Sequence, residues 1–281
     1  MKNLTIMLVL LFYSYQSHAL EIYHPKTQRT LSFAEFIEEL PTSGHIAFGE
    51  FHNQPHIQKA QAQIINEKIQ REGLFADFTI HWEFLNHTEQ AYTDSVFFEF
   101  IANLITAQDF IEMTAGPKNL EYTPLAQVAK DLQGELRGIN LPRKYKQQVI
   151  AGGIRAINSE LVPASHFVGG PRYLQRFTEV MGGHIPNSQI GAYFLAQCLT
   201  DSVMADQITK NSAKKLNFLI AGSFHTDFHD ATIVRLEKLT GTKVTTLKFA
   251  SQGLNSNSEI EDFKSYQPEY GFYADYIVIT K

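Results

Sequence analysis

The chain has 281 residues, 44% of them hydrophobic and 19% charged, and a formal net charge of −5. Such a chain can bury one sizeable core without a second domain, and its mild acidity gives no reason to expect nucleic acid as a partner. Cys198 is the only cysteine, so an intramolecular disulfide is excluded and stability must come from packing.

In chain order, the first stretch reads as an export signal. Lys2 supplies a positive start, Leu4 to Tyr13 is uncharged and mostly apolar, and Ser17-His18-Ala19 is a small-x-small cleavage site. Residues 1–19 are therefore expected to be removed, leaving 20–281 as one soluble domain in the periplasm or outside the cell. The apolar run is about half of the roughly 20 residues that a membrane span requires, and no later stretch is long enough. No cysteine follows it to carry a lipid.

A short helix is expected over 31–40, with Ser32 as cap and Glu35 in the capping-box position. The apolar run Ile46-Ala47-Phe48 then stops at Gly49-Glu50-Phe51-His52-Asn53, and helical periodicity starts at once behind it: Asn53 can cap, Pro55 fits a first turn, and Ile57, Ala60, Ile64, Ile65 and Ile69 share one face. Strand, polar turn and helix begin an α/β unit, in which ligands gather at the carboxyl ends of the strands. Glu50 and His52 stand at such an end; alternatively, Glu50 ties down the turn and His52 is a loop histidine. From 78 to 84, Phe78, Ile80, Trp82 and Phe84 alternate with Thr79, His81 and Glu83, a second strand ending on an acid.

Helical sequence over 88–106, a turn at Gly116-Pro117 and a helix over 123–132 follow. The strand at 136–140 runs into Asn140-Leu141-Pro142-Arg143, with a helix over 144–157 behind it. Residues 163–189, rich in Gly and Pro, read as an irregular functional loop or lid containing Arg172, Tyr173, Arg176 and His184. A long helix over 188–210 carries Cys198, expected to be a buried inert thiol, and Asp201 on its apolar stripe, so that Asp201 either anchors loop backbone or faces a ligand. Strand 217–221 gives way to Gly222-Ser223-Phe224-His225, which repeats the glycine-turn-histidine design. A helix over 227–239, strands near 243–249 and 275–279, and a surface loop over 251–261 complete the count. Because strands and helices alternate, the expected fold is α/β, three-layered, with a mainly parallel sheet.

A parallel sheet would bring Glu50, His52, Glu83 and His225 together. Two carboxylates with two imidazoles can bind a divalent metal or serve as general base and acid, and the spacing does not choose. The segments that carry them, together with Asn140-Leu141-Pro142-Arg143, Ala196-Gln197-Cys198-Leu199, Asp201 and Met204-Ala205, resemble the ChaN-like haem-binding proteins of the Tiki and erythromycin-esterase-like superfamily. The resemblance covers roughly residues 42–240. It implies an exported protein of an iron or haem uptake system that pairs two haems across a homodimer, with tyrosine on the iron and histidine near a propionate, and that hands haem to or from an unidentified transporter or receptor. Two departures are the missing lipid-bearing cysteine and Phe84, where the family has methionine. Glu50, His52, Glu83, Arg143, Asp201 and His225 fall in the matching segments.

Haem is an apolar disc with two carboxylates, so its site needs aromatics, an iron ligand and cationic donors. The 163–189 segment holds all of these: Tyr173 is the first choice for the iron, flanked by Arg172 and Arg176, with His184 as second ligand or propionate partner and Tyr193 or Tyr145 as substitutes. No catalytic residue is assigned in this reading. The competing reading is a metal-dependent hydrolase built on Glu50, His52, Glu83 and His225; a third is a binding protein for another small ligand.

Overall fold

A computed structural model describes residues 20–281; the expected signal segment lies outside the described residues. Eight strands form one sheet: β1 (Glu21–His24), β2 (Arg29–Leu31), β3 (Gly44–Glu50), β4 (Phe78–Asn86), β5 (Glu135–Asn140), β6 (Leu216–Gly222), β7 (Val244–Ser251) and β8 (Tyr276–Thr280), in the order β2-β1-β8-β7-β3-β6-β4-β5. The pairs from β8 to β5 are all parallel, and β1 runs antiparallel to both β2 and β8. The helices are α1 (Phe33–Glu39), α2 (Pro55–Glu72), α3 (Gln90–Ile101), α4 (Ala107–Thr114), α5 (Thr123–Asp131), α6 (Arg143–Gly152), α7 (Pro171–Met181), α8 (Ile190–Lys210), α9 (Ala231–Thr240) and α10 (Asn257–Lys264). Among the described residues no helix is long and apolar enough to cross a membrane.

Alternation along β3 explains the three layers. Ile46 and Phe48 join the large core that also holds Ile57, Ile64 and Ile65 of α2 and Leu125 of α5. Ala47 points the other way, into the cluster built from Met204 and Ile208 of α8 and Ile233 and Leu236 of α9. A central strand buried on both faces must be apolar throughout, and each fully buried Ile or Phe contributes about 1.5–3 kcal/mol. The mainly parallel α/β sheet read from the alternation of elements is the one observed.

The differences are local. α1 has its Ser32–Glu35 capping box, as expected. Asn53, however, does not cap α2: it adopts a left-handed φ of 54°, Gln54 precedes the helix, and no side chain caps it. The stretch over 88–106 contains α3 and the start of the chain into α4, whose cap is Thr106. The segment over 163–189 is not irregular throughout: Pro171 opens α7, and the i,i+4 pair Tyr173 and Phe177 is its buried face. The expected surface loop over 251–261 holds the start of α10, capped reciprocally by Ser256 and Glu259. β1 and β2, four and three residues long, extend the sheet beyond what periodicity could mark.

Candidate functional site

β3, β4 and β6 end side by side, and register places Glu50 opposite Gly222. Glu50 is 2% exposed. Its carboxylate accepts from Gln58 Nε2 at 3.0 Å, Gln61 Nε2 at 2.6 Å, the Tyr122 hydroxyl and His52 Nδ1 at 3.1 Å. The two glutamines sit on the buried face of α2, where only a buried acceptor justifies an amide. Burial and the charge of Glu50 keep the Tyr122 phenol protonated far above its ordinary range. Burial opposes protonation of His52, but its bond to Glu50 and the charges of Glu83 and Glu50 outweigh this and raise its pKa.

On the other side, His225 is clamped between acids: Nδ1 lies 2.7 Å from Asp201 Oδ1 and Nε2 3.4 Å from Glu83 Oε1. Burial works against the cation, yet Glu83 and Asp201 push its pKa up to about 10; the imidazolium donates from Nδ1 to Asp201 and turns Nε2 toward Glu83 as an ion pair. Glu83 in turn accepts the Gly222 N–H at 2.7 Å. Burial penalises its charge, but His225, His52 and that N–H hold its carboxyl well below the usual range. Asp201 also accepts from Thr232 Oγ1 at 3.0 Å and from the Tyr173 hydroxyl at 2.6 Å. Lys146, whose Nζ donates to Asn140 Oδ1 at 3.0 Å, stands close enough to Glu83 and Asp201 to feel both, while burial lowers its pKa.

Both strand-end glycines are required by close approach. A Cβ on Gly49 would collide with the Thr226 hydroxyl and the Ser223 backbone, and one on Gly222 would lie 2.8 Å from His52 Nε2. The repeated glycine-turn-histidine design therefore lets two turns fold over one another.

The structure thus brings Glu50, His52, Glu83, Asp201 and His225 together at one sheet edge. Arg143 begins α6 nearby and is exposed. Sequence reasoning missed Tyr122, Gln58, Gln61 and Lys146; amides on the apolar stripe of α2 were the one local signal. The side chains pair with each other, and among the described residues no group of three or more His, Cys, Asp or Glu is arranged to hold a metal ion. A divalent metal, one of the two roles open to this cluster, has no such set of ligands among the described residues.

A cleft of about 350 Å³ opens between this edge and α7. Phe51, Phe177, Val180, Met181 and Phe224 make its walls apolar, and His52 and His225 reach it from below. Tyr173 and Arg176 do not face outward. Tyr173 is 1% exposed, stacks on Phe224 with ring centroids 5.6 Å apart, and is held protonated by burial and the Asp201 charge. Arg176, also buried, donates to the Phe224 carbonyl at 3.1 Å and lies over the Phe224 ring at 4.2 Å. Arg172 is exposed near Asp230, 3.9 Å away, and His184 is exposed just beyond α7. Tyr193 is half-buried against the Tyr173–Phe177 cluster, and Tyr145 packs beside α8. Cys198 is buried, its thiol pushed up to about 11 by burial, and accepts the Gly169 N–H at 3.3 Å, which fits the inert role expected of it.

The fold is similar to that of ChaN of Campylobacter jejuni, whose structure is described as cofacial haem binding: the TM-score is 0.69 at 19% identity over 93% of this chain and 97% of that one. Weaker likenesses are to the type III effector HopBA1 (TM-score 0.45, 11% identity, 95% and 99% covered) and to a mutant of erythromycin esterase EreC in its open conformation (0.43, 13%, 83% and 77%). No curated protein matches the chain. The profile described as "Haem-binding uptake, Tiki superfamily, ChaN" matches residues 36–236, well over half of the sequence, and the chain belongs to that family.

Proposed function

We propose that this protein binds haem in the cleft between the sheet edge and α7. The observation that carries the reading is the make-up of that cleft: apolar walls from Phe51, Phe177, Val180, Met181 and Phe224, open to solvent on one side, as a flat macrocycle requires. Arg172, exposed at the start of α7, is the donor proposed for a propionate, with His184, exposed beyond the other end, as the alternative. The apolar lining suits the face of the macrocycle, and the tyrosine that would hold its iron as an anionic oxygen ligand comes from outside that lining.

Of the expected tyrosines, Tyr173 reaches an iron only if its hydroxyl leaves Asp201 and α7 lifts from Phe224. Tyr193 has no bond to Asp201 to break and lies, half-buried, one helical turn before Gln197 of the cleft lining, so we assign the ligand to it, with Tyr173 and Tyr145 tested beside it. Export through the 1–19 segment, pairing of two haem-loaded copies and transfer to a transporter or receptor belong to the same proposal. The C. jejuni relative is described with cofacial haem, and sequencing of the exported protein is expected to begin near Leu20.

The experiment is a haem titration of the full-length protein followed by visible absorption. A saturable spectrum, weakened at least tenfold by Val180→Glu at the cleft mouth, is expected. A second reading rests on His52: half-exposed in the cleft and bonded to Glu50, it has the surroundings of a general base for hydrolysis. Absence of a haem spectrum together with ester hydrolysis, with or without added zinc or manganese, would favour that reading.

A further inference from the structure

α7 forms one wall of the cleft through Phe177, Val180 and Met181, and its inner face ties it to the body of the molecule. The Tyr173 hydroxyl donates to Asp201 at 2.6 Å, Arg176 donates to the Phe224 carbonyl at 3.1 Å, and the Tyr173 and Phe177 rings pack on Phe194 at 5.2 and 5.5 Å. On the outer side the contacts are between exposed polar groups: Gln175 donates to Glu269 at 3.1 Å and Tyr270 to Glu179 at 2.8 Å. Such exposed bonds exchange readily with water. The inner contacts therefore decide whether the helix stays down.

Each end of α7 is a glycine pair, Gly169-Gly170 and Gly182-Gly183. Packing requires Gly169, because a Cβ there would lie 2.4 Å from the Tyr173 ring. Gly170 is different: its φ of −71° suits any residue, and a Cβ would meet nothing within 4 Å. It precedes Pro171 and leaves α7 without a side-chain cap, where Ser or Asp would fasten the first turn. At the far end Gly183 has a φ of 79°, and a Cβ there too would meet nothing. What glycine supplies at 170 and 183 is backbone freedom and not space, and a few such residues at the ends of an element are where hinges absorb their φ and ψ changes.

We propose that α7 is a hinged flap over the cleft: it swings as one helix about Gly170 and Gly183, the Tyr173–Asp201 hydrogen bond is its latch, and its opening sets the rate at which a planar apolar ligand enters and leaves. The gating half of this inference rests on the cleft being the ligand site, whereas hinge and latch stand on the contacts of α7 alone. Releasing the latch leaves no orphan, because Asp201 keeps His225 and Thr232 and the freed phenol meets water. Opening also uncovers the Tyr173 and Phe177 rings, so the closed form predominates in the empty protein. The closed cleft, of about 350 Å³, is at the lower end of the roughly 300–1,000 Å³ that ligand sites occupy, and moving α7 outward widens it for a broad ligand.

The test is hydrogen exchange of the full-length protein without haem, comparing the amides of α7 with those of β3. The α7 amides should exchange together, as one unit, at least about tenfold faster than those of β3, and Tyr173→Phe should speed them by about a further tenfold, the shift that one charge-assisted hydrogen bond sets. Gly170→Ala meets no atom and should slow α7 by about two- to fivefold, by removing backbone freedom alone. Stopped-flow binding of an anilinonaphthalene sulfonate dye reads the gate, the cleft signal being the one that Val180→Glu removes: entry should be faster in Tyr173→Phe and slower in Gly170→Ala. The flap is overturned if α7 exchanges only at the rate of β3, if its amides exchange at unrelated rates, or if Gly170→Ala changes nothing. Gating is overturned if dye entry ignores both variants. Neither readout uses haem, so a protein with no haem spectrum would strike the haem reading and leave the flap to these results.

Discussion

The Tyr173 hydroxyl donates to Asp201 at 2.6 Å, and that same carboxylate, 2.7 Å from His225 on its other oxygen, ties α7 to the strand-end cluster. Asp201 is fully buried and carries its charge because His225, Arg235 and Tyr173 offset the burial penalty. One carboxylate thus links the cleft wall to the site floor.

Removing a partner of Asp201 and removing its charge should have different consequences. Tyr173→Phe leaves Asp201 with His225 and Thr232, and is expected to cost about 1–2 kcal/mol of stability, the loss of one charge-assisted hydrogen bond. Asp201→Asn leaves a buried imidazolium short of a counter-charge and should cost more, about 3–5 kcal/mol. Urea unfolding of both variants checks the order. NMR titration of Asp201→Asn should also find the His225 pKa well below about 10.

Stability should fall at both ends of the pH range, for opposite reasons. His225 has its pKa raised by Glu83 and Asp201 to about 10, so its contribution is fully present below about 6.5 and is lost as pH rises through 10. His81 is buried and has its pKa lowered to about 4, so the unfolded chain takes up that proton first. Its neutral form is compatible with the fold above about 6.5, and stability is lost as pH falls through 4, by about 3 kcal/mol in all. In thermal melts from pH 4 to 11, His81→Gln should flatten the acidic limb and leave the alkaline limb unchanged.

Gly222→Ala places a Cβ 2.8 Å from His52 Nε2 and should displace that ring, at a cost of about 1–3 kcal/mol. Gly49→Ala meets the Ser223 backbone and the Thr226 hydroxyl, which yield less, so it should be the more damaging of the two. Equilibrium unfolding of both variants, with the His52 signal followed by NMR, tests the crossing of the two turns.

Glu50, His52, Glu83 and His225 were legible because a parallel sheet gathers whatever follows its strands, and polar groups after apolar runs mark the places. Tyr122 was not, because its contact with Glu50 joins residues 72 positions apart and depends on how a 3₁₀ turn sits on the sheet. α7 was hidden by the glycines on either side of it and by its polar outer face, although Pro171 and the Tyr173–Phe177 spacing were present. The Ser256–Glu259 capping box likewise announced α10 inside a stretch whose composition reads as loop. The inward turn of Tyr173 and Arg176 follows from packing on Phe224, which no local pattern encodes.

The acids of the cluster should matter little to haem affinity. Glu50 is buried behind His52 and bonded to Tyr122, Gln58 and Gln61, so Glu50→Gln is expected to change the haem dissociation constant by less than about tenfold, roughly 1.4 kcal/mol. A haem titration of this variant that shows a larger loss would place the iron or a propionate on the cluster.

The most direct test of the account is the visible spectrum of the ferric haem complex of the natural protein beside those of Tyr193→Phe and Tyr173→Phe. Ligation by Tyr193 predicts a tyrosinate charge-transfer band that Tyr193→Phe abolishes and Tyr173→Phe retains. A natural protein without that band, or a band that survives in Tyr193→Phe, would contradict it.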